Sequence, residues 1–373
     1  MGTLDCRVLA QAIEHRAEAD LAASNIGCAS ILVATADEIL YKKHFFKEGT
    51  PWDGLSDKSI FRLASMTKPI TAAVTMRLVE RGLLSLDDTV DRFYPGFSSM
   101  RIWHPDGKEE TTEQKITVKN LLTHSSGIGS GKAVIEIAER VSDVEKSAVE
   151  PYIEFLSHQP LSFVPNTAQE YSGVAAFSVL AGILQRVSGL SYDVLVKQEL
   201  LDPLGMVDTT FDPTEEQWAR VIPMHGKEDG RDVIGKTDEG CVFEGFRPKS
   251  YLGGAGLVST LSDYLRFARM LLGGGAVDGV RVLSEESVRA MSSCQFFKRE
   301  REAWGLGMRV IREDGGVLPK GAYGWSGAYG THFWIDPSNG ILAIYMKNSR
   351  YDGGAGAITS VNFEADVYSA MQA

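Results

Sequence analysis

This 373-residue sequence predicts an α+β fold in which an antiparallel sheet, built from both ends of the chain and flanked by terminal helices, receives a mainly helical lobe between its halves. Three observations point there. Short apolar runs bounded by turn residues lie near both termini, helical periodicity fills the middle, and helix signals flank the terminal strands. Residues 1–68 and 251–373 then form the sheet lobe and residues 69–250 the helical one, with the active site in the cleft between them.

The N-terminus runs into a polar amphipathic helix. Ala29 to Ala34 and Ile39 to Phe46 follow as apolar runs around Ala36-Asp37-Glu38, which reads as a hairpin. An apolar-periodic stretch from Pro69 to Leu84 is helical, with proline tolerated because it stands near the helix start. Val134 to Val141 and Val174 to Val187 repeat the helical pattern, and strand signals return near Leu252. Thr260-Leu261-Ser262-Asp263 opens a helix reaching Leu272, with side-chain oxygens to cap it, and Gly273-Gly274-Gly275 reads as a surface turn. Thr331 to Asp336 and Ile341 to Lys347 flank Pro337-Ser338-Asn339-Gly340, a hairpin signal through Asn-Gly. Asn362 to Met371 reads as a closing helix.

Composition narrows the function. With 44% hydrophobic residues the chain can bury a large core, and its net charge of -11 argues against nucleic acid or an anionic membrane as partner. No stretch approaches the roughly 20 apolar residues of a membrane span. Met1 to Arg7 lacks the apolar core of a signal peptide, so a cytoplasmic location is expected. Cys6, Cys28, Cys241 and Cys294 are scattered, which disfavours a disulfide framework or a zinc site. Asp87, Asp88 and Asp91 form an acidic run without ligand partners at metal spacing, and Gly253-Gly254-Ala255-Gly256 is not a dinucleotide fingerprint. No metal or cofactor is expected.

Ser65-Met66-Thr67-Lys68 is the element that carries chemistry. A serine three residues ahead of a lysine shares its helical face, so Lys68 Nζ can reach Ser65 Oγ and draw its proton. Serine is a weak nucleophile until a neighbouring base activates it, and lysine supplies that base once burial lowers its pKa from about 10.4. Nearby unpaired N–H groups at the helix start would favour a developing oxyanion. No serine lies in a G-x-S-x-G elbow, which disfavours an α/β-hydrolase.

Arg62-Leu63-Ala64-Ser65-Met66-Thr67-Lys68-Pro69-Ile70-Thr71 resembles the nucleophile segment of serine β-lactamases and penicillin-binding proteins. Similar segments follow in order: Leu83 to Val90, Ile116 to Gly127, Tyr171-Ser172, Leu201 to Met206 and Gly253 to Thr260. The set spans nearly the whole chain and resembles the class C β-lactamase superfamily, within it the esterases called family VIII. The resemblance implies a β-lactamase-like fold. It implies that Tyr171 faces the Ser65/Lys68 pair and shares its proton, although a core tyrosine is the alternative. Trp325-Ser326-Gly327-Ala328 looks like the Trp-x-Gly of those esterases, standing where penicillin-recognising enzymes carry Lys-Thr-Gly. Trp325, Ser326 and Gly327 would then border the substrate, the indole as an apolar wall, and the N–H groups of Ser65 and Ala328 would form the oxyanion hole; Trp325 as a merely buried aromatic is the alternative. His124 is structural or a triad base, and His332 satisfied or cleft-lining.

Two departures shape the expected substrate. Gly173 stands where the family's Tyr-x-Asn has its amide, and Trp325 replaces a lysine that meets a substrate carboxylate. The expectation is a serine carboxylesterase acting on small, short-chain esters through an acyl-enzyme on Ser65. Rival readings on the same scaffold are a weak β-lactamase, a D-amino-acid peptidase or amidase, and an acyltransferase; a catalytically silent binding protein is the rival of another class.

Overall fold

The computed structural model describes residues 3–104, 106, 108–129, 149–234, 251–297 and 300–372. Helix α1 (Cys6–Ala22) starts where Asp5 Oδ1 accepts the N–H groups of Arg7 and Val8, and its buried residues Leu9, Ile13, Ala17 and Leu21 recur at fourth positions. Strands β1 (Cys28–Ala34) and β2 (Ile39–Phe46) form the expected hairpin. Every residue of β1 is buried, so it is apolar on both faces except at Ser30, whose hydroxyl meets His44 Nδ1, rather than alternating.

A short strand β3 (Ile60–Arg62) leads into helix α2 (Thr67–Glu80). That helix stops before the predicted Leu84, because Gly82 takes φ +68° and its N–H returns to Val79 O. The helical part continues with α3 (Val118–Leu122), α4 (Val149–Ser157), α5 (Ala175–Ser188) and α6 (Tyr192–Val196). Thr117 and Asn120 make a reciprocal cap on α3. The proposed helix Val134–Val141 lies outside the described residues, as does Cys241.

Strand β4 (Val258–Thr260) pairs antiparallel with β3, and Leu63 N–H donates to Leu257 O. The segments that lead into α2 and into the next helix therefore run side by side. No strand forms at Leu252 itself, because Gly253 and Gly254 are pressed against the α5 backbone and Lys68. Thr260 caps α7 (Leu261–Leu272) through the Asp263 N–H, as the sequence predicts. The glycine run that follows is not a plain surface turn: a Cβ on Gly275 would stand 2.1 Å from Leu283 O.

After α8 (Glu285–Met291) come β5 (Phe296–Phe297), β6 (Glu302–Trp304), β7 (Arg309–Ile311), β8 (Tyr323–Ser326), β9 (His332–Asp336) and β10 (Ile341–Met346). They join the first hairpin in an eight-stranded antiparallel sheet of order β5-β6-β7-β8-β9-β10-β1-β2. Helix α9 (Ile358–Ser369) begins four residues before the predicted Asn362, because Asp352 accepts the N–H groups of Ile358 and Thr359. Met371 belongs to a terminal strand pairing with Leu4 rather than to the helix.

Alternating residues send the sheet's two faces into two cores. Ile31, Val33, Trp334, Ala343 and Tyr345 pack with α1 and α9, whereas Leu32, Phe333, Ile335 and Ile344 pack toward α7 and the helical part. Trp334 meets Phe363 of α9 edge-on at 4.9 Å. Trp334→Ala should lower unfolding free energy by about 3–5 kcal/mol in urea titration, the usual cost of emptying a buried aromatic site. A loss below about 1 kcal/mol would mean that α9 does not rest on this residue.

Candidate active site

Ser65 lies in a 3-10 turn (Ala64–Met66) that runs directly into α2. Ala64 takes φ +45°, a conformation strained for any residue with a Cβ, and at this bend Ser65 is half-buried while both its neighbours stay buried. The turn is held from several sides: Tyr264 Oη donates to Met66 O at 3.0 Å, and Leu257 N–H donates to Thr67 Oγ1 at 3.3 Å.

Lys68 is 0% exposed, one turn along the same face. Its Nζ stands 3.2 Å from Ser65 Oγ, 2.5 Å from Gly173 O and 2.8 Å from Gly254 O. Tyr171 Oη lies 2.8 Å from Ser65 Oγ on the other side. The structure thus brings together all three residues that the sequence nominated for proton transfer. Burial pushes the Lys68 pKa down, against the opposing pull of the Tyr171 phenolate. Burial alone would raise Tyr171, but the adjacent Lys68 charge and the hydrogen bond shared with Ser65 help bring it below its ordinary value.

Hydrogen-bond arithmetic defines what this trio can do. Two Lys68 protons are committed to the Gly173 and Gly254 carbonyls. With a neutral amine, the remaining lone pair accepts the Ser65 hydroxyl and Tyr171 donates to Oγ; with an ammonium, the third proton meets Oγ and a phenolate accepts the hydroxyl. An ammonium and a neutral phenol that both donate to Oγ satisfy the same distances; once the pair has lost one proton, Ser65 O–H points at a base.

Tyr171 remains 37% exposed, yet its ring is walled on one side by aromatics. Trp304 stacks on it at 5.9 Å and 12°, and Trp325 lies 5.3 Å away. Trp304 and Trp325 meet each other edge-on at 4.5 Å. Trp304 went unnoticed in the sequence; its only local signal was the glycine-flanked Trp304-Gly305-Leu306-Gly307, in which Gly307 takes φ +77° against Ala72 and the Lys68 carbonyl. Trp325, at 4% exposure, is covered by these neighbours, so it is not the apolar wall expected for a substrate. Its indole instead packs against the Tyr171 ring from the buried side.

Gly327 sits where a Cβ would come within 2.2 Å of Leu63 O, and Thr331 Oγ1 donates to that same carbonyl at 3.0 Å. This close approach brings Ala328 beside the Ser65 turn. The turn closes through Gly327 N–H to Thr331 O and Gly330 N–H to Gly327 O, neither of which uses the N–H of Ala328, an exposed residue. Ser326 departs from expectation: its Oγ is 2.8 Å from His332 Nδ1, across the strand pair and on the α9 side of the sheet. Trp325 and Ser326 are successive strand residues and must face opposite ways.

His332 is buried and satisfied, with Nε2 3.0 Å from Glu364 Oε1. His124, also buried, accepts the Ser172 N–H at Nδ1 and packs 4.7 Å from Tyr171 and 4.5 Å from Trp304, a placement that orients the tyrosine from behind. Asp88 and Asp91 of the acidic run pair with Arg92 and Lys115. No single described helix is long and apolar enough to cross a membrane.

Residues 9–363 match the family model Beta-lactamase. Protein Rv1367c of Mycobacterium tuberculosis is 32% identical over 317 residues, covering 77% of each chain. Esterase EstB of Burkholderia gladioli is 28% identical over 399 residues, with 96% of this chain and 95% of that protein covered. Among solved structures, EstCE1, described as a hydrolase with promiscuous acyltransferase activity, superposes with a TM-score of 0.82 at 21% identity, over 97% of this chain and 99% of that one. With the fold and these matches together, the chain belongs to the beta-lactamase family of serine hydrolases.

Proposed function

We propose that the protein is a carboxylesterase that hydrolyses small, short-chain esters through an acyl-enzyme on Ser65. The observation that carries this reading is Tyr171 Oη and Lys68 Nζ bracketing Ser65 Oγ at 2.8 and 3.2 Å. Ser65 Oγ attacks the ester carbonyl carbon and its proton passes to the Lys68/Tyr171 pair. The N–H groups of Ser65 and Ala328 hold the tetrahedral oxyanion. As the carbon–oxygen bond breaks, Tyr171 returns the proton to the leaving alkoxide. Water then repeats the sequence: it gives a proton to the pair, attacks the acyl carbon, and Ser65 recovers its proton as the acid departs.

Substrate class follows from the two departures. Gly173 offers no side-chain amide, and its carbonyl is occupied by Lys68. Lys347, a cation that could have compensated for the missing lysine, is 1% exposed and engaged with Asp352 and Thr359. A lost charge-assisted hydrogen bond is worth roughly 1.5–3 kcal/mol, so with the second polar contact a β-lactam carboxylate forfeits about two to four orders of magnitude. Acetyl to butyryl p-nitrophenyl esters should be hydrolysed efficiently, and penicillins or a chromogenic cephalosporin slowly if at all. Equal kcat/KM on a penicillin and on p-nitrophenyl acetate would contradict the reading.

A further inference from the structure

Behind the turn that carries Ala328 lie two buried side-chain chains that the reaction scheme does not use, and both end on α9. In the first, Ser326 and His332 form the pair that closes the β8–β9 hairpin, and their side chains meet at 2.8 Å. His332 then reaches Glu364 of α9 at 3.0 Å, and Arg309 of the neighbouring strand β7 donates to the same Glu364 oxygen at 3.0 Å. In the second, Lys347 Nζ donates to Asp352 Oδ2 at 2.9 Å and to Thr359 Oγ1 of α9 at 2.8 Å. Asp352 also accepts the first N–H groups of α9, so the segment that follows it is fixed at one end.

That segment is pressed onto the turn. A Cβ on Gly353 would stand 2.0 Å from Ala328 O, and Gly354 N–H donates to Gly327 O at 2.9 Å. The Lys347 stem closes the remaining side, since a Cβ on Gly330 would meet its Cε at 2.1 Å. Peptide groups on both sides of Ala328 are therefore gripped from the rear, while Thr331 fastens the front to Leu63.

We propose that α9 aims the Ala328 N–H at the oxyanion through these two arms, making Ser326, His332 and Glu364, with Lys347, Asp352 and Thr359, positioning residues for acyl transfer; this rests on the acyl-enzyme reading above. Burying ionised groups is a poor route to stability, because desolvation offsets most of their attraction and apolar replacements often hold as well. Direction is what they supply. An oxyanion donor acts over a window of about 2.7–3.1 Å, and a misplacement of about 1 Å can cost a hundredfold. Ser326, His332 and Glu364 have the composition of a nucleophile triad, but Ser326 is 5% exposed and faces α9, away from the cleft, so the set orients rather than attacks.

The test uses Ser326→Ala and Thr359→Val, each removing one buried hydroxyl with little change in volume, and Thr359→Ser as the rescue. For each, kcat and KM on p-nitrophenyl butyrate are measured beside the inhibition constant of an alkylboronic acid, whose tetrahedral adduct on Ser65 places an oxygen in the oxyanion hole. In Ser326→Ala and Thr359→Val, kcat should fall about tenfold to a hundredfold and the boronate constant should rise by the same factor. KM should stay within about threefold, and Thr359→Ser should restore both values. Wild-type kcat and boronate affinity in both variants, or a loss confined to melting temperature, overturns the positioning role alone. A wild-type enzyme that hydrolyses the ester but ignores the boronic acid overturns the acyl-enzyme reading and this inference with it.

Discussion

Ser65→Ala should lower turnover of a p-nitrophenyl ester by about three to six orders of magnitude, the range seen when the nucleophile is removed from a cooperating set. The expectation is this large because Ser65 Oγ is the one atom that both Lys68 and Tyr171 address. Alanine keeps the turn and the start of α2, so folding should be preserved and the loss should appear in kcat rather than in melting temperature. Steady-state kinetics on protein of verified melting behaviour reads it. Activity within about tenfold of wild type would remove Ser65 from the reaction.

Lys68→Ala and Tyr171→Phe should each nearly abolish acylation, and their double mutant should be little worse than either, since the two address one oxygen and act as a unit. Lys68→Arg should not rescue, because a guanidinium effectively never gives up a proton. The pH dependence carries a sign. Both pKa values are displaced downward, so the pair reaches its reactive, one-proton-short state at a pH below the ordinary titration of either group. The kcat/KM of the wild type should rise as pH climbs through the first macroscopic pKa of the pair, with a midpoint below about 10. It should fall again once the second proton is lost and no acid remains for the leaving group. A Tyr171→Phe variant that keeps most of its activity and the same rising limb would return Tyr171 to a purely structural role.

Local rules made most of the fold legible. The hairpins around Asp37 and Asn339 and the Thr260 cap each depend on residues within a few positions of one another, and they form where expected. What escaped depends on distant partners. The start of α9 is set by Asp352, six residues upstream of Ile358, and Trp304 matters only because Tyr171 and Trp325 fold against it. The trio Ser65, Lys68 and Tyr171 was legible because S-x-x-K spacing puts two of them on one helical face and the family resemblance supplies the third. Ser326 was misread although strand parity alone separates it from Trp325. The burial of Trp325 was not legible, since no local pattern distinguishes an indole that lines a cleft from one that supports the residue lining it.

Covalent labelling tests the central claim most directly. Wild-type protein treated with a fluorophosphonate, then digested and mapped by tandem mass spectrometry, should carry a single adduct on Ser65, with no label on Ser65→Ala treated in parallel. An adduct on another serine, retained when Ser65 is alanine, would contradict the account.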